Sequence, residues 1–145
     1  MQTPHVVAVT PHAVAVTETD LERLQRVLDQ YGDTASTEHT EALEWKLSKA
    51  IVTGSEAVSP GLVTMNSTVL FEDEGKGEFQ QVTLCYPKDA RGAPGRVSVL
   101  APVGIALLGL SLGQRVELEV PGGRKRRLRV VAVPYQPEAA GHFHL

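Results

Sequence analysis

The apolar residues of this chain change period once, near residue 54, from the three-and-four spacing of a helix to the alternation of a strand. Helices and sheet must therefore come from different stretches of sequence and meet in tertiary packing. From Thr19 onward Leu21, Leu24, Val27, Leu28 and Tyr31 fall on one helical face. Thr19-Asp-Leu-Glu22 has the form of a capping box, and Gly32 supplies a stop. A second helix is expected to start at Ser36 and Thr37, with Glu38 and Glu41 at the positive end of its dipole. Its stripe is Leu43, Leu47, Ala50 and Ile51, and Gly54 ends it. The short polar connection predicts an antiparallel helical hairpin over residues 18–54, a short coiled coil with arms of roughly 20 Å and 25 Å. Two such stripes bury little area, so the hairpin should lean on the rest of the protein or on a partner. Trp45 lies off the stripe and is expected to pack against the second part of the chain, the alternative being an exposed anchor for a partner.

Residues 55–61, with Ser55, Ser59, Pro60 and Gly61, read as a linker. Beyond it, residues 62–145 carry β-type punctuation. Val63, Met65, Ser67, Val69 and Phe71 alternate as a half-buried strand, Glu72 to Glu78 is a charged turn, and Phe79 to Tyr86 returns. Pro87 to Gly95 is expected to be a loop and Arg96 to Leu100 a third strand. Ala101-Pro-Val-Gly-Ile-Ala-Leu-Leu-Gly109 predicts a short buried helix with proline in its first turn. Gln114 to Val120 and Arg124 to Val133 are two more strands, joined by Pro121-Gly-Gly123 as a tight turn. The fold class is α+β: the helical hairpin, then an antiparallel sheet with one short helix. Residues 1–17 hold a seven-residue echo, His5-Val-Val-Ala-Val-Thr10 and His12-Ala-Val-Ala-Val-Thr17, expected to be a frayed tail whose second copy forms a short edge strand.

Charge divides the chain as the periodicity does. Residues 1–60 carry four basic and nine acidic side chains, whereas residues 61–145 carry ten and eight. A net charge of −3 argues against a protein that coats nucleic acid. Arg124-Lys-Arg-Arg-Leu-Arg129 reads as a solvated strand face more readily than as a phosphate track, and few aromatics are present to stack on bases. The single cysteine, Cys85, lies in an apolar run as a small hydrophobe, which fits a reducing compartment. No apolar run approaches the roughly 18 residues of a membrane span, and the N-terminus does not have the pattern of a signal peptide, so the cytoplasm is expected. His142-Phe-His144 has no companion ligands and reads as a mobile tail. Neither a metal, a cofactor nor a catalytic residue is expected.

Val63-Thr-Met-Asn-Ser67, Ala101-Pro-Val-Gly-Ile-Ala-Leu-Leu-Gly109, Val120-Pro-Gly-Gly123 and Pro134-Tyr-Gln-Pro-Glu-Ala-Ala-Gly141 together resemble the Rnk family, the regulators of nucleoside diphosphate kinase, over about residues 13 to 145. More distantly the chain resembles the transcript-cleavage factors GreA and GreB. The resemblance implies an FK506-binding-protein-like (FKBP-like) C-terminal domain behind the hairpin. It implies binding to RNA polymerase at the mouth of the secondary channel, where the C-terminal domain grips a coiled coil of the largest subunit; a monomer is expected. The Gre pattern Asp-Ser-Pro at that grip corresponds to Leu100, Ala101 and Pro102, so an apolar contact by Leu100, Ala101, Pro102 and Val103 is expected. In Gre factors the hairpin tip delivers two acids to a catalytic magnesium, which carboxylate oxygens must approach to about 2.1 Å. The acids near the tip here are Asp29, Asp33 and Glu38, on a hairpin about half as long by that resemblance. The expectation is a non-enzymatic regulator that competes with Gre factors without stimulating cleavage, any effect on nucleoside diphosphate kinase being indirect. The alternatives are a Gre-type cleavage factor and an FKBP-like prolyl isomerase.

Overall fold

A computed structural model of the chain describes residues 8–9, 14–31, 37–119, 124–143 and 145. Strands β1 (Ala8–Val9) and β2 (Ala15–Thr17) precede helices α1 (Glu18–Tyr31) and α2 (Thr37–Lys49). Strand β3 (Ile51–Thr53) and a 3₁₀ turn at Ser55–Ala57 lead to β4 (Thr68–Asp73) and β5 (Glu78–Cys85). Then come α3 (Pro87–Ala90), β6 (Arg96–Ser98), α4 (Pro102–Leu107), β7 (Arg115–Glu119) and β8 (Lys125–Tyr135). The main sheet has six strands in the order β1-β7-β8-β4-β5-β6, and a separate parallel pair joins β2 to β3. Each copy of the N-terminal echo thus supplies one strand, to a different sheet. No helix among the described residues is long and apolar enough to cross a membrane.

The sheet is mixed where an antiparallel one was expected: β6 runs parallel to β5, pairing Thr83 with Arg96 and Cys85 with Ser98. A parallel return needs a crossover. The stretch expected to be a loop provides it and holds the one-turn helix α3, with Pro87 in the first turn, where a missing N–H costs nothing. The other main-sheet pairs are antiparallel, and register shifts between Thr68 and Phe71 bend β4 along β8. The Pro121-Gly-Gly123 turn lies outside the described residues.

Helix α1 begins two residues earlier than the capping box implied. Asp20 N–H donates to Thr17 Oγ1 at 3.0 Å, making Thr17 the cap, while the Thr19 hydroxyl meets Ser55 Oγ at 3.3 Å. Helix α2 stops at Lys49. Ile51, expected on its stripe, instead lies in β3 at 59% exposure, because its N–H donates to Val14 O at 2.9 Å and the chain pairs with β2. Val63 to Ser67 alternate like a strand but form none; Asn66 takes φ +67° and Ser67 N–H donates to Thr64 O. Leu62 through Met65 are all buried, since this segment threads between helices and sheet and has no solvent side to alternate toward. Trp45 stands at the surface, 41% exposed, with Lys49 Nζ 4.9 Å from its ring centroid.

One buried cluster holds the chain together. It takes Val14, Val16, Leu24, Val27, Leu43 and Leu47 from the N-terminal elements and Phe71, Leu84, Leu107, Leu118, Leu128 and Val130 from the sheet side. The hairpin leans on the rest of the protein, as its small stripes required, with α2 packed on α4. Of the stretch expected as a mobile tail, His142 is held, its Nδ1 2.7 Å from the Tyr135 hydroxyl and its N–H donating to Pro137 O at 2.8 Å, while Phe143 is exposed; ahead of it Gln136 is buried and donates from Nε2 to Ser59 O (2.8 Å) and Leu62 O (2.7 Å). His144 lies outside the described residues.

Candidate partner-docking site

The turn into α4 carries the residues expected to contact a partner. Leaving β6, Leu100 N–H donates to Ser98 Oγ (3.1 Å) and Ala101 N–H to Ser98 O (3.0 Å), which folds the chain sharply. Ala101 is the helix cap and stays extended at φ −77°, ψ 150°, as the proline after it demands. Its methyl offers no capping oxygen, and Pro102 starts the helix with no N–H to satisfy. Burial then divides the four residues. Leu100 turns inward at 8% exposure, whereas Ala101, Pro102 and Val103 are half-buried and leave an uncharged edge open to solvent.

Two contacts seat α4. A Cβ on Gly104 would overlap the Ser98 carbonyl oxygen and lie 2.9 Å from Ser98 C and 3.1 Å from Val99 Cα, so only glycine lets the helix rest on the exit of β6. From α2, Lys46 reaches the opposite end: Nζ donates to Ile105 O at 2.6 Å and to Ala106 O at 2.8 Å, with the residue only 8% exposed. Burial drives this ammonium down to about 7, while carbonyls at a helix C-terminus favour the cation.

A second buried charge ties α1 to the threading segment. Asp20 is 2% exposed, and its Oδ2 accepts from Met65 N–H at 3.0 Å. Burial is the largest influence and lifts its carboxyl to about 6; Glu138 lifts it further, while Met65 N–H, Arg23 and Thr17 pull the other way. Glu138 itself accepts from Thr64 Oγ1 at 2.7 Å.

The expected tip acids do not converge on a described site. Asp29 is exposed and lines a groove of about 510 Å³ with Leu21, Leu28, Glu44 and Leu47, Glu38 is exposed in the first turn of α2, and Asp33 lies outside the described residues. Among the described residues no group of three or more His, Cys, Asp or Glu is placed to hold a metal. Three of the five basic residues at 124–129 are answered by neighbours, Arg126 by Asp73 at 3.0 Å, Arg129 by Glu72 at 2.9 Å and Lys125 by Glu117 at 3.2 Å, while Arg124 and Arg127 are exposed.

Sequence reasoning passed over Lys46, Asp20 and Gln136. The signal for the first two was there: Lys46 stands three residues after Leu43 and Asp20 four before Leu24, each in step with an apolar stripe. Gln136, between two proline positions, gave no comparable sign.

Residues 58–135 match the family described as transcription elongation factor GreA/GreB, C-term. A regulator of nucleoside diphosphate kinase from Escherichia coli (strain K12) is 39% identical over 128 residues, 88% of this chain and 93% of that one. A transcription elongation factor GreA from Nitratidesulfovibrio vulgaris is 35% identical over 82 residues, 57% of this chain and 51% of its own length, so the likeness spans about half of GreA. Among solved structures, a prokaryotic transcription elongation factor GreA/GreB from Nitrosomonas europaea aligns with a TM-score of 0.67 at 41% identity, over 86% of this chain and 99% of that one.

Proposed function

This chain belongs to the family of regulators of nucleoside diphosphate kinase, among the Gre-related transcription factors, and on that premise we propose that it docks on RNA polymerase at the secondary channel and competes there with Gre factors without stimulating transcript cleavage. The observation that carries this reading is the length of the arms. Helix α1 has 14 residues and α2 has 13, about 21 Å and 20 Å. The second arm is shorter than the sequence implied, because residues 51–53 leave it to form β3. Carboxylates at the end of such arms stop far short of a magnesium that a hairpin about twice as long would reach.

In this reading the curled sheet with α4 is the FKBP-like gripping module, and Ala101, Pro102 and Val103 make an apolar contact with a coiled coil of the largest polymerase subunit. An uncharged edge suits the loss of the acid and hydroxyl found in the Gre pattern. Prolyl isomerisation would need an aromatic-lined apolar pocket. Among the described residues Phe71 lies in the core and Phe79 and Phe143 on the surface, and the groove that two aromatics share, Tyr31 and Tyr86, is edged by the charged Arg23, Arg26, Lys88 and Asp89.

Stalled, backtracked elongation complexes test the reading. The chain is expected to protect the RNA 3′ end against a Gre factor in a dose-dependent way and to leave the transcript uncut by itself. Cleavage at the pace of a Gre factor would overturn the proposal. Pro102→Asp should weaken competition by about tenfold or more, equivalent to about 1.4 kcal/mol, with an unchanged circular dichroism spectrum; unaltered affinity removes the assignment of the edge.

A further inference from the structure

Helix α4 ends with carbonyls that its own backbone does not satisfy. Any α-helix leaves its last C=O groups without intrahelical donors. The amides that a longer helix would aim at Ile105 and Ala106 are those of Gly109 and Leu110. Gly109 turns away at φ +84° and donates to Val63 O (3.0 Å), while Leu110 donates to Leu107 O (3.2 Å). Lys46 supplies what is missing, one ammonium serving both carbonyls from 59 and 60 residues away in sequence. Burying an ammonium is costly unless it is paired or hydrogen-bonded. A methionine would fill the same space between Leu43 and Leu47 without that cost, so packing alone does not call for lysine here.

Building on the docking reading above, we propose that Lys46 is a positioning residue for polymerase binding: by tying the C-terminal end of α4 to α2, it fixes Pro102 and Val103 in orientation to the helical arms. Helix α4 has six residues, about 9 Å, so a tilt at one end is felt at the other. Gly104, pressed on Ser98 and Val99, lies between them as the pivot. Grip and arms then meet the polymerase as one rigid body, which lowers the ordering that binding must impose.

Lys46→Met removes both donors while keeping the stem, and Lys46→Arg restores donors. In the free protein, amide exchange at Ile105 to Leu108 should quicken by about tenfold or more in Lys46→Met, with β4 and β8 unchanged, and should recover toward wild type in Lys46→Arg. In competition with a Gre factor, Lys46→Met should lose about tenfold in affinity, and the losses from Lys46→Met and Pro102→Ala should combine to less than their sum. Strictly additive losses, or unaltered exchange in α4, overturn the proposal. A wild-type chain that fails to bind polymerase would sink the docking reading and this use of Lys46 with it, while the exchange measurement reports separately whether the residue holds α4. If Lys46→Met does not fold, Lys46→Gln takes its place in both measurements: its side chain is neutral and one bond shorter, so it no longer serves both carbonyls, and the same losses are expected in smaller degree.

Discussion

Burying an ionisable side chain favours its neutral form, and Asp20 and Lys46 are two such groups where distant parts of the chain meet. The folded protein holds the Asp20 proton up to about pH 6, whereas the unfolded chain releases it near 3.8. Between those values the native state binds more protons, so the Asp20 contribution falls as pH rises from 4 toward 6 and stays low above that. The displacement is worth about 3 kcal/mol at most. Asp20→Asn keeps an acceptor for Met65 N–H and removes the charge. Chemical denaturation of this variant is expected to show a flatter profile from pH 4 to 6 and stability at pH 7 equal to or above wild type; a full wild-type decline would refute the assignment. Asp20→Ala should instead cost about 1 to 3 kcal/mol, because Met65 N–H is left without its acceptor.

At the scale of elements, close approach decides where α4 sits. Gly104→Ala places a methyl against the Ser98 carbonyl, backbone that cannot swing aside, and is expected to cost about 3 kcal/mol or more in thermal denaturation. Gly54→Ala is the control, since nothing lies within 4 Å of its added Cβ and its φ of −70° suits alanine; a Tm change as large as that of Gly104→Ala would discredit the steric account. The two long helices and strands β4, β5, β7 and β8 were readable because each has a wet side and a dry side. Val63 to Met65 were misread because their alternation of apolar and polar residues matches no wet and dry side: Thr64 is as buried as its two apolar neighbours. The end of α2 was misplaced because β2, distant in sequence, captures Ile51. Gly104 looked like an ordinary helical glycine, and its necessity depends on Ser98 lying beneath it.

Charge acts on the whole molecule. With Arg126, Arg129 and Lys125 paired to Asp73, Glu72 and Glu117, the basic run keeps two exposed cations without an ion pair among the described residues, Arg124 and Arg127, and the protein carries −3 overall. A salt titration against plain DNA duplex should give weak binding with a slope of log K on log salt no steeper than about −2. A slope near −5 would show that the strand is a phosphate track after all. Polymerase binding through an uncharged edge should by contrast survive moderate salt.

What the sequence determined by itself is what local periodicity and local charge can encode: two short amphipathic helices, the strands and short helix behind them, and acids spread along stubby arms. Tertiary structure alone decided which polar side chains would be enclosed and what each would face. Lys46 meets the end of α4 across 59 residues and Asp20 meets Met65 across 45. Contacts of that span have no signature in neighbouring residues beyond a charge standing in an apolar stripe, because their partners become partners only when the two halves of the chain close on one core.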